Sequence, residues 1–184
     1  DLNDILKRKK KNILFTSRIN DLLNCNIIYV SGDIPTDNKG VSQLNEIKSI
    51  LETLSKVIVT GTVLVIISQI PPGFTRSIET LFKNEVIIYY QVETLIFGKA
   101  IERAMFPERI IIGSTKPSIP IVPKFKYFLH SFKCPIINMK YESVDVAGVS
   151  RETYSNIIFP LKKLSSNDHS STHRHQLNNV VLLL

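Results

Sequence analysis

Val63-Leu64-Val65-Ile66-Ile67-Ser68-Gln69-Ile70-Pro71-Pro72-Gly73-Phe74-Thr75 is an apolar run that ends abruptly in a polar turn marked by proline and glycine. Five apolar residues without alternation read as a strand covered on both faces, the environment of strands inside a parallel sheet. The pattern repeats twice. Val86-Ile87-Ile88-Tyr89-Tyr90 runs into Gln91-Val92-Glu93-Thr94-Leu95-Ile96-Phe97-Gly98-Lys99-Ala100-Ile101, and Arg109-Ile110-Ile111-Ile112-Gly113 follows Pro107-Glu108. Upstream, Asn26 to Val30 and the shorter Ile13 to Phe15 are further strand candidates.

Helical patterns separate these strands. Leu44, Ile47, Leu51, Leu54 and Ile58 recur at three- and four-residue spacing and define one apolar helix face, with Glu46, Lys48, Glu52 and Lys56 on the water side. Ser42, or the turn Asp37-Asn38-Lys39-Gly40, is the expected cap. Shorter helices are expected over 75–82, 98–105 and 124–132. Strands 27–30, 63–67, 86–90 and 110–112 should therefore lie adjacent and parallel, joined by right-handed crossovers in a three-layer α/β sheet. In such sheets a ligand sits beyond the carboxyl ends of the strands. The loops Asp33-Ile34-Pro35-Thr36, Ser68-Gln69-Ile70-Pro71 and Gln91-Val92-Glu93 begin there, bringing Thr36, Ser68 and Glu93 to one edge. The same prolines would also punctuate ordinary βα turns.

At 184 residues and 43% hydrophobic, the chain can bury one good core. It begins at Asp1, as expected of a processed protein or a piece of a longer one. The basic run Lys7-Arg8-Lys9-Lys10-Lys11 precedes too short an apolar stretch for a signal peptide. The most apolar segment, 57–70, is interrupted by Thr60, Gly61 and Thr62 and is too short to span a bilayer. A cytoplasmic protein without a membrane partner is expected. The net charge of +7 raises nucleic acid as a partner. Its lysines are spread along the chain, however, and the one cluster has no interleaved aromatics to stack on bases, so no nucleic acid is expected. Cys25 and Cys134 have neither metal spacing nor a disulfide framework and read as buried free thiols. The tract 165–176 carries His169, His173 and His175 among Ser and Asn. Ser and Asn make a helix there poor and no carboxylate or thiolate motif accompanies the histidines, so it reads as a disordered tail and not as a metal site.

The three motif-bearing segments resemble the UDP-glucose/GDP-mannose dehydrogenase family. Its members show Ser-Thr-Val-Pro-x-Gly-Thr, then Asn-Pro-Glu-Phe-Leu-x-Glu-Gly-x-Ala, then Pro-(Asp/Glu)-Arg-Ile-(Val/Ile)-Ile-Gly, in that order. Ile27 to Asp37 resembles the family strand that ends in Thr-Pro-Thr, and Leu14-Phe15-Thr16-Ser17 resembles the strand before it. Phe132 to Ile136 and Tyr141-Glu142-Ser143 resemble the approach to the central helical region. The likeness covers residues 1 to about 146. It implies a parallel-sheet, Rossmann-like α/β fold, the second half of an NAD-binding domain, leading into the start of a helical region. On that reading residues 1–140 form the partial NAD-binding domain, 141–160 begin the central helices and 161–184 are the tail.

The resemblance implies NAD as cofactor and a UDP- or GDP-sugar as substrate, oxidised from primary alcohol to uronate, in a full-length homodimer. It also implies roles. Pro35, Thr36 and Ser68 would contact the cofactor. Gln69 stands where the family has a water-orienting threonine, and glutamine can still donate and accept hydrogen bonds. Glu93 matches the first glutamate of its motif, a general base or water-activating group; alternatively it is a strand-end carboxylate paired with Lys99 or Arg103. Arg109 is open between an ion pair and a site role. Phe97 replaces the second glutamate of the motif, and Gly148 and Glu152 stand where the family has a lysine and an asparagine. No Gly-x-Gly-x-x-Gly occurs, and neither cysteine matches the family's nucleophile. The chain alone is therefore expected to be inactive. The other reading is a non-catalytic α/β nucleotide-binding module.

Overall fold

Two alternating sets of side chains divide the sheet. Ile28, Val30, Leu64, Ile66, Ile88, Tyr90 and Ile111 belong to one buried cluster, and Ile27, Tyr29, Val63, Val65, Tyr89, Ile110 and Ile112 to the other. Both sets are apolar because both faces are covered, which is why these strands show no polar alternation. The computed structural model describes residues 2–9, 13–39, 41–82, 86–93, 98–149 and 180–183. Elements run α1 (Leu2–Lys9), β1 (Ile27–Val30), α2 (Asn45–Val57), β2 (Val63–Ile66), α3 (Phe74–Ile78), β3 (Ile87–Gln91), α4 (Ala100–Met105), β4 (Ile110–Ser114), α5 (Pro123–His130), β5 (Ile136–Lys140), α6 (Tyr141–Val149) and β6 (Val180–Leu183).

The strand order is β5-β4-β3-β2-β1-β6. β1, β2 and β3 are parallel neighbours, with Ile27 opposite Val63 and Val63 opposite Ile87. α2 covers the first crossover with Ile47, Leu51 and Leu54, as its spacing predicts. α3, extended by a 3-10 turn over Glu79–Leu81, covers the second. The fold class is the expected one.

One strand direction is not. β4 pairs antiparallel to β3, with Tyr90 opposite Gly113 and Gln91 opposite Ile112. A parallel connection needs a helix packed across the sheet. α4 buries none of its residues, so the chain turns back at the edge it left. β5 then returns parallel to β4 through α5, which buries Phe125 and Leu129.

Three further differences are local. Residues 14–17 form no strand, and Leu14 and Phe15 are 74% and 81% exposed, with no strand beside them among the described residues. α2 takes Leu44 as its N-cap without a side-chain bond. Asp37 instead closes its own turn, accepting the amides of Lys39 and Val41 at 2.8 Å each. Val180–Leu183, expected as tail, pairs in parallel with β1, Ile27 opposite Val180. The remainder of that expectation, with the three histidines and residues 150–160, lies outside the described residues. Among the described residues no helix is long and apolar enough to cross a membrane.

Candidate functional site

The three parallel strands open their carboxyl ends along one edge. Ser68 lies two residues beyond β2 and Glu93 two beyond β3. Ile66, the last residue of β2, pairs with Tyr90, so both loops leave neighbouring strand ends. Ser68 is 4% exposed, and its Oγ has no hydrogen-bond partner among the described residues. A buried hydroxyl left so costs about 1–3 kcal/mol, so it marks a place where a ligand or water atom belongs. Gln69, the next residue, is exposed.

Glu93 is half-buried in a recess of about 170 Å³ lined also by Ile67, Gln91, Arg103, Arg109 and Phe132. Gln91 is held there by the Tyr29 hydroxyl, which donates to its Oε1 at 3.0 Å from across the sheet. Arg103 and Arg109 both pair with Glu108, at 2.5 and 3.6 Å, and the Arg103 bond above all holds the Glu108 carboxyl below its ordinary range. Arg109, left open between an ion pair and a site role, makes an ion pair and lines the recess as well. Tyr90 is pushed above the usual phenol range, first by burial and then by the charges of Asp145 and Glu93.

Pro35 and Thr36 follow a different path. They are exposed, in an arm that folds on itself: the Gln43 amide donates to the Pro35 carbonyl at 2.8 Å, the Asp37 amide to the Val41 carbonyl at 2.9 Å, and Thr36 bridges Ser42. The structure therefore gathers Ser68, Gln69 and Glu93 on one stretch of edge and sets Pro35 and Thr36 apart at its rim. Ser68 does not itself line the Glu93 recess.

Asp145 is the residue that sequence reasoning missed. It is fully buried on α6, and its carboxylate accepts the Gly73 amide at 2.9 Å and the Thr75 hydroxyl at 2.8 Å. Burial pushes its pKa up, against the pull of those two bonds. The available signal was its position four residues after Tyr141, on the stripe that Tyr141 and Val144 bury. α6 reaches this place because Gly113 has no side chain: a Cβ there would stand 3.2 Å from the Val144 Cβ and 3.3 Å from the Tyr141 Cα. The thiols stand apart from this edge chemistry. Cys25 is buried and Cys134 half-buried, and desolvation raises both pKa values, so neither is an activated thiolate.

Comparison with known proteins bears on the family and the fold. Residues 1–123 match the model of the UDP-glucose/GDP-mannose dehydrogenase family, NAD binding domain. Protein CapL of Staphylococcus aureus is 28% identical over 145 residues, 79% of this chain and 33% of that protein. UDP-glucose 6-dehydrogenase of Rickettsia typhi is 27% identical over 97 residues, 51% of this chain and 22% of that protein. The chain thus spans a third or less of the length of these relatives. A ternary complex of GDP-mannose dehydrogenase from Pseudomonas aeruginosa superposes with a TM-score of 0.68 at 16% identity, over 84% of this chain and 38% of that one, a likeness of fold.

Proposed function

Because the chain belongs to the UDP-glucose/GDP-mannose dehydrogenase family, through its NAD-binding domain, we propose that it is the cofactor-binding part of an enzyme that oxidises the primary alcohol of a UDP- or GDP-sugar to a uronate. The observation that carries this reading is the edge itself: the matched residues contain all three loops, and one of them holds a buried hydroxyl without a partner. NAD⁺, when bound, supplies the hydride acceptor. The residues present fit it in a limited way. Ser68 offers a desolvated hydroxyl that can donate or accept, and the Pro35–Thr36 arm offers a backbone and a hydroxyl at the rim.

In this proposal Glu93 takes the proton that the alcohol, or a water attacking the oxidised carbon, must lose. Its half-buried recess suits a base that keeps contact with substrate and solvent. Gln69, exposed beside Ser68 at the same edge, orients that water through its amide. Arg109 and Arg103 border the recess and are themselves paired with Glu108. The second oxidation of this chemistry passes through a thiolate, and neither Cys25 nor Cys134 has the environment to provide it. The 184-residue chain by itself is accordingly proposed to be inactive, with turnover belonging to a full-length homodimer in the cytoplasm.

The experiment is NAD⁺ binding to the purified chain, followed by saturation-transfer NMR and compared between wild type and Ser68→Ala. Weak binding that falls further in the variant supports the reading. Binding of equal strength in both would remove Ser68 from the site, and none in either would remove the cofactor from this edge. NADH production by the chain, abolished by substituting Cys25 or Cys134, would show that the nucleophile is misassigned.

A further inference from the structure

α3 starts without a cap of its own. Its N-cap is Gly73, held at φ +87 in the left-handed region, and no local side chain closes the first turn. The loop before it is poorly equipped to hold itself, because Pro71 and Pro72 have no amide hydrogen to donate. Ile70 is sunk in the core, but Gln69 and Pro72 are exposed. One local bond, from the Phe74 amide to the Pro71 carbonyl at 3.1 Å, closes the turn at the far end, and the hold on Gly73 itself comes from 72 residues downstream. Asp145 accepts the Gly73 amide on Oδ2 and the Thr75 hydroxyl on Oδ1, so one carboxylate oxygen holds the end of the loop and the other the first turn of α3.

We infer that Asp145 is a positioning residue for the Ser68–Gly73 loop, tying the seat of α6 to the placement of the Ser68 hydroxyl at the sheet edge. The tie stands on the contacts above; its consequence for NAD⁺ rests on the reading of this edge as the cofactor site. The loop is gripped at Ile70 and at Gly73, so Ser68 and Gln69 hang between β2 and two fixed points. Release of the Gly73 end frees Pro71 and Pro72 first and lets Ser68 drift from its buried position. The closeness of α6 to β4, permitted by Gly113, sets how far Asp145 reaches. A shift of α6 is thereby felt at the cofactor edge without any contact between α6 and the cofactor.

Hydrogen exchange of the Gly73 amide in the full chain tests the tie. Asp145→Ala removes both acceptors, and Gly73 should exchange about tenfold faster or more while the Val65 amide in β2 is unchanged. Asp145→Asn should restore protection to within about threefold of wild type, because its Oδ1 can accept Gly73 while its Nδ2 donates to Thr75. Asparagine also fills the same space, so the control is Asp145→Leu, which occupies that volume without an acceptor: Gly73 should exchange there about as fast as in Asp145→Ala, whereas a space-filling role would be rescued by leucine. Unchanged Gly73 exchange in Asp145→Ala, or equal loss in the Ala and Asn variants, would overturn the inference. Should Asp145→Ala fail to fold, Thr75→Val removes one of the two bonds and keeps the shape. Gly73 should then exchange several-fold faster (about three- to tenfold) with the sheet amides unchanged, and no change would count against the tie. In the same samples NAD⁺ saturation transfer should weaken in Asp145→Ala and return in Asp145→Asn. Absence of NAD⁺ binding in wild type would sink the cofactor reading, while Gly73 exchange still decides the role of Asp145.

Discussion

The two ends of β3 border polar clusters of opposite character. At its amino end lies the larger cavity, about 520 Å³, with Glu79, Ser114, Thr115 and Lys116 among its lining. At its carboxyl end the recess around Glu93 holds about 170 Å³. Volume would point to the first. Yet the polar groups there satisfy one another. Ser114 donates to Asn138 Oδ1 at 2.8 Å, Thr115 bonds Glu79, and the Tyr141 hydroxyl donates to the Ile88 carbonyl at 2.7 Å. Arg76 pairs with Glu142 at 2.9 Å and Glu79 at 3.3 Å while lying 5.1 Å from the Tyr141 ring centre. That end is a structural joint between α3, α6 and the split of β3 from β4. At the carboxyl edge the reserve lies beside the recess and not in it: Ser68, just past the neighbouring strand β2, keeps a buried hydroxyl without a partner among the described residues. Unmet polar demand, more than cavity size, separates the site from the joint.

The largest expected effect tests the carboxyl end. In a full-length relative, changing the glutamate equivalent to Glu93 to glutamine should cut turnover by about 10²–10⁴, since it removes a proton acceptor while keeping size and hydrogen bonding. NAD⁺ affinity should stay within about threefold, because the change falls mainly on the chemical step. Steady-state kinetics with a parallel NAD⁺ titration would decide. Turnover unchanged alongside lowered stability would make Glu93 a structural carboxylate.

The joint should respond in the opposite currency. Tyr141→Ala empties a fully buried site and leaves the Ile88 carbonyl unmet, for a loss of about 3–5 kcal/mol in urea unfolding. NAD⁺ affinity of the protein that remains folded should stay close to wild type. A variant that kept its stability but lost NAD⁺ would reverse the assignment of the two ends.

Ser68→Ala sharpens the contrast because its two effects have opposite signs. Removing a buried hydroxyl that lacks a partner should raise stability, by up to about 1–3 kcal/mol if that hydroxyl is dry. Cofactor affinity should fall several-fold, about 1 kcal/mol, for the loss of one neutral hydrogen bond. Stability lowered by the substitution would mean that Ser68 is already satisfied, and the argument from unmet demand would fail.

What could be read from the chain follows from where its information is local. β1 to β3 were legible because Ile27 to Val30, Val63 to Ile66 and Ile87 to Tyr90 are uninterrupted apolar runs bounded by turns. The direction of β4 was not, since Arg109 to Gly113 reads alike in either sense. That information lay in α4, whose Ile101 and Met105 share a helical spacing and yet remain exposed. β5 escaped notice because Asn138 interrupts Ile136, Ile137 and Met139 just after Pro135. Ser68, Gln69 and Glu93 were singled out through motifs attached to strand ends, and the structure puts each of them just past a strand end. How far the Pro35–Thr36 arm projects depends on the turn that Asp37 closes. Asp145 was hidden because its partners lie some 70 residues away, and a helical carboxylate ordinarily faces water.

The smallest predicted effect separates two carboxylates by sign. Glu108 is exposed and held below its ordinary range by Arg103, so whatever it contributes is lost as pH falls through its folded value. Asp145 is the reverse. Burial outweighs its bonds to Thr75 and Gly73, and its folded pKa lies above the ordinary 3.8. Between those two values the folded chain binds more protons than the unfolded one, so the stability contributed by Asp145 declines as pH rises through that window. Asparagine keeps the shape and both contacts but does not titrate, which makes Asp145→Asn the proper reference. The stability of wild type minus that of the variant, from urea unfolding between about pH 3 and pH 8, should therefore decrease with rising pH and level off above the folded pKa. Glu142 and Arg76 also face Asp145, the first raising and the second lowering its pKa, so the window should narrow on Glu142→Gln and widen on Arg76→Met. A difference that rises with pH would mean that the two hydrogen bonds outweigh desolvation, and that Asp145 holds its loop as a fully stabilised anion.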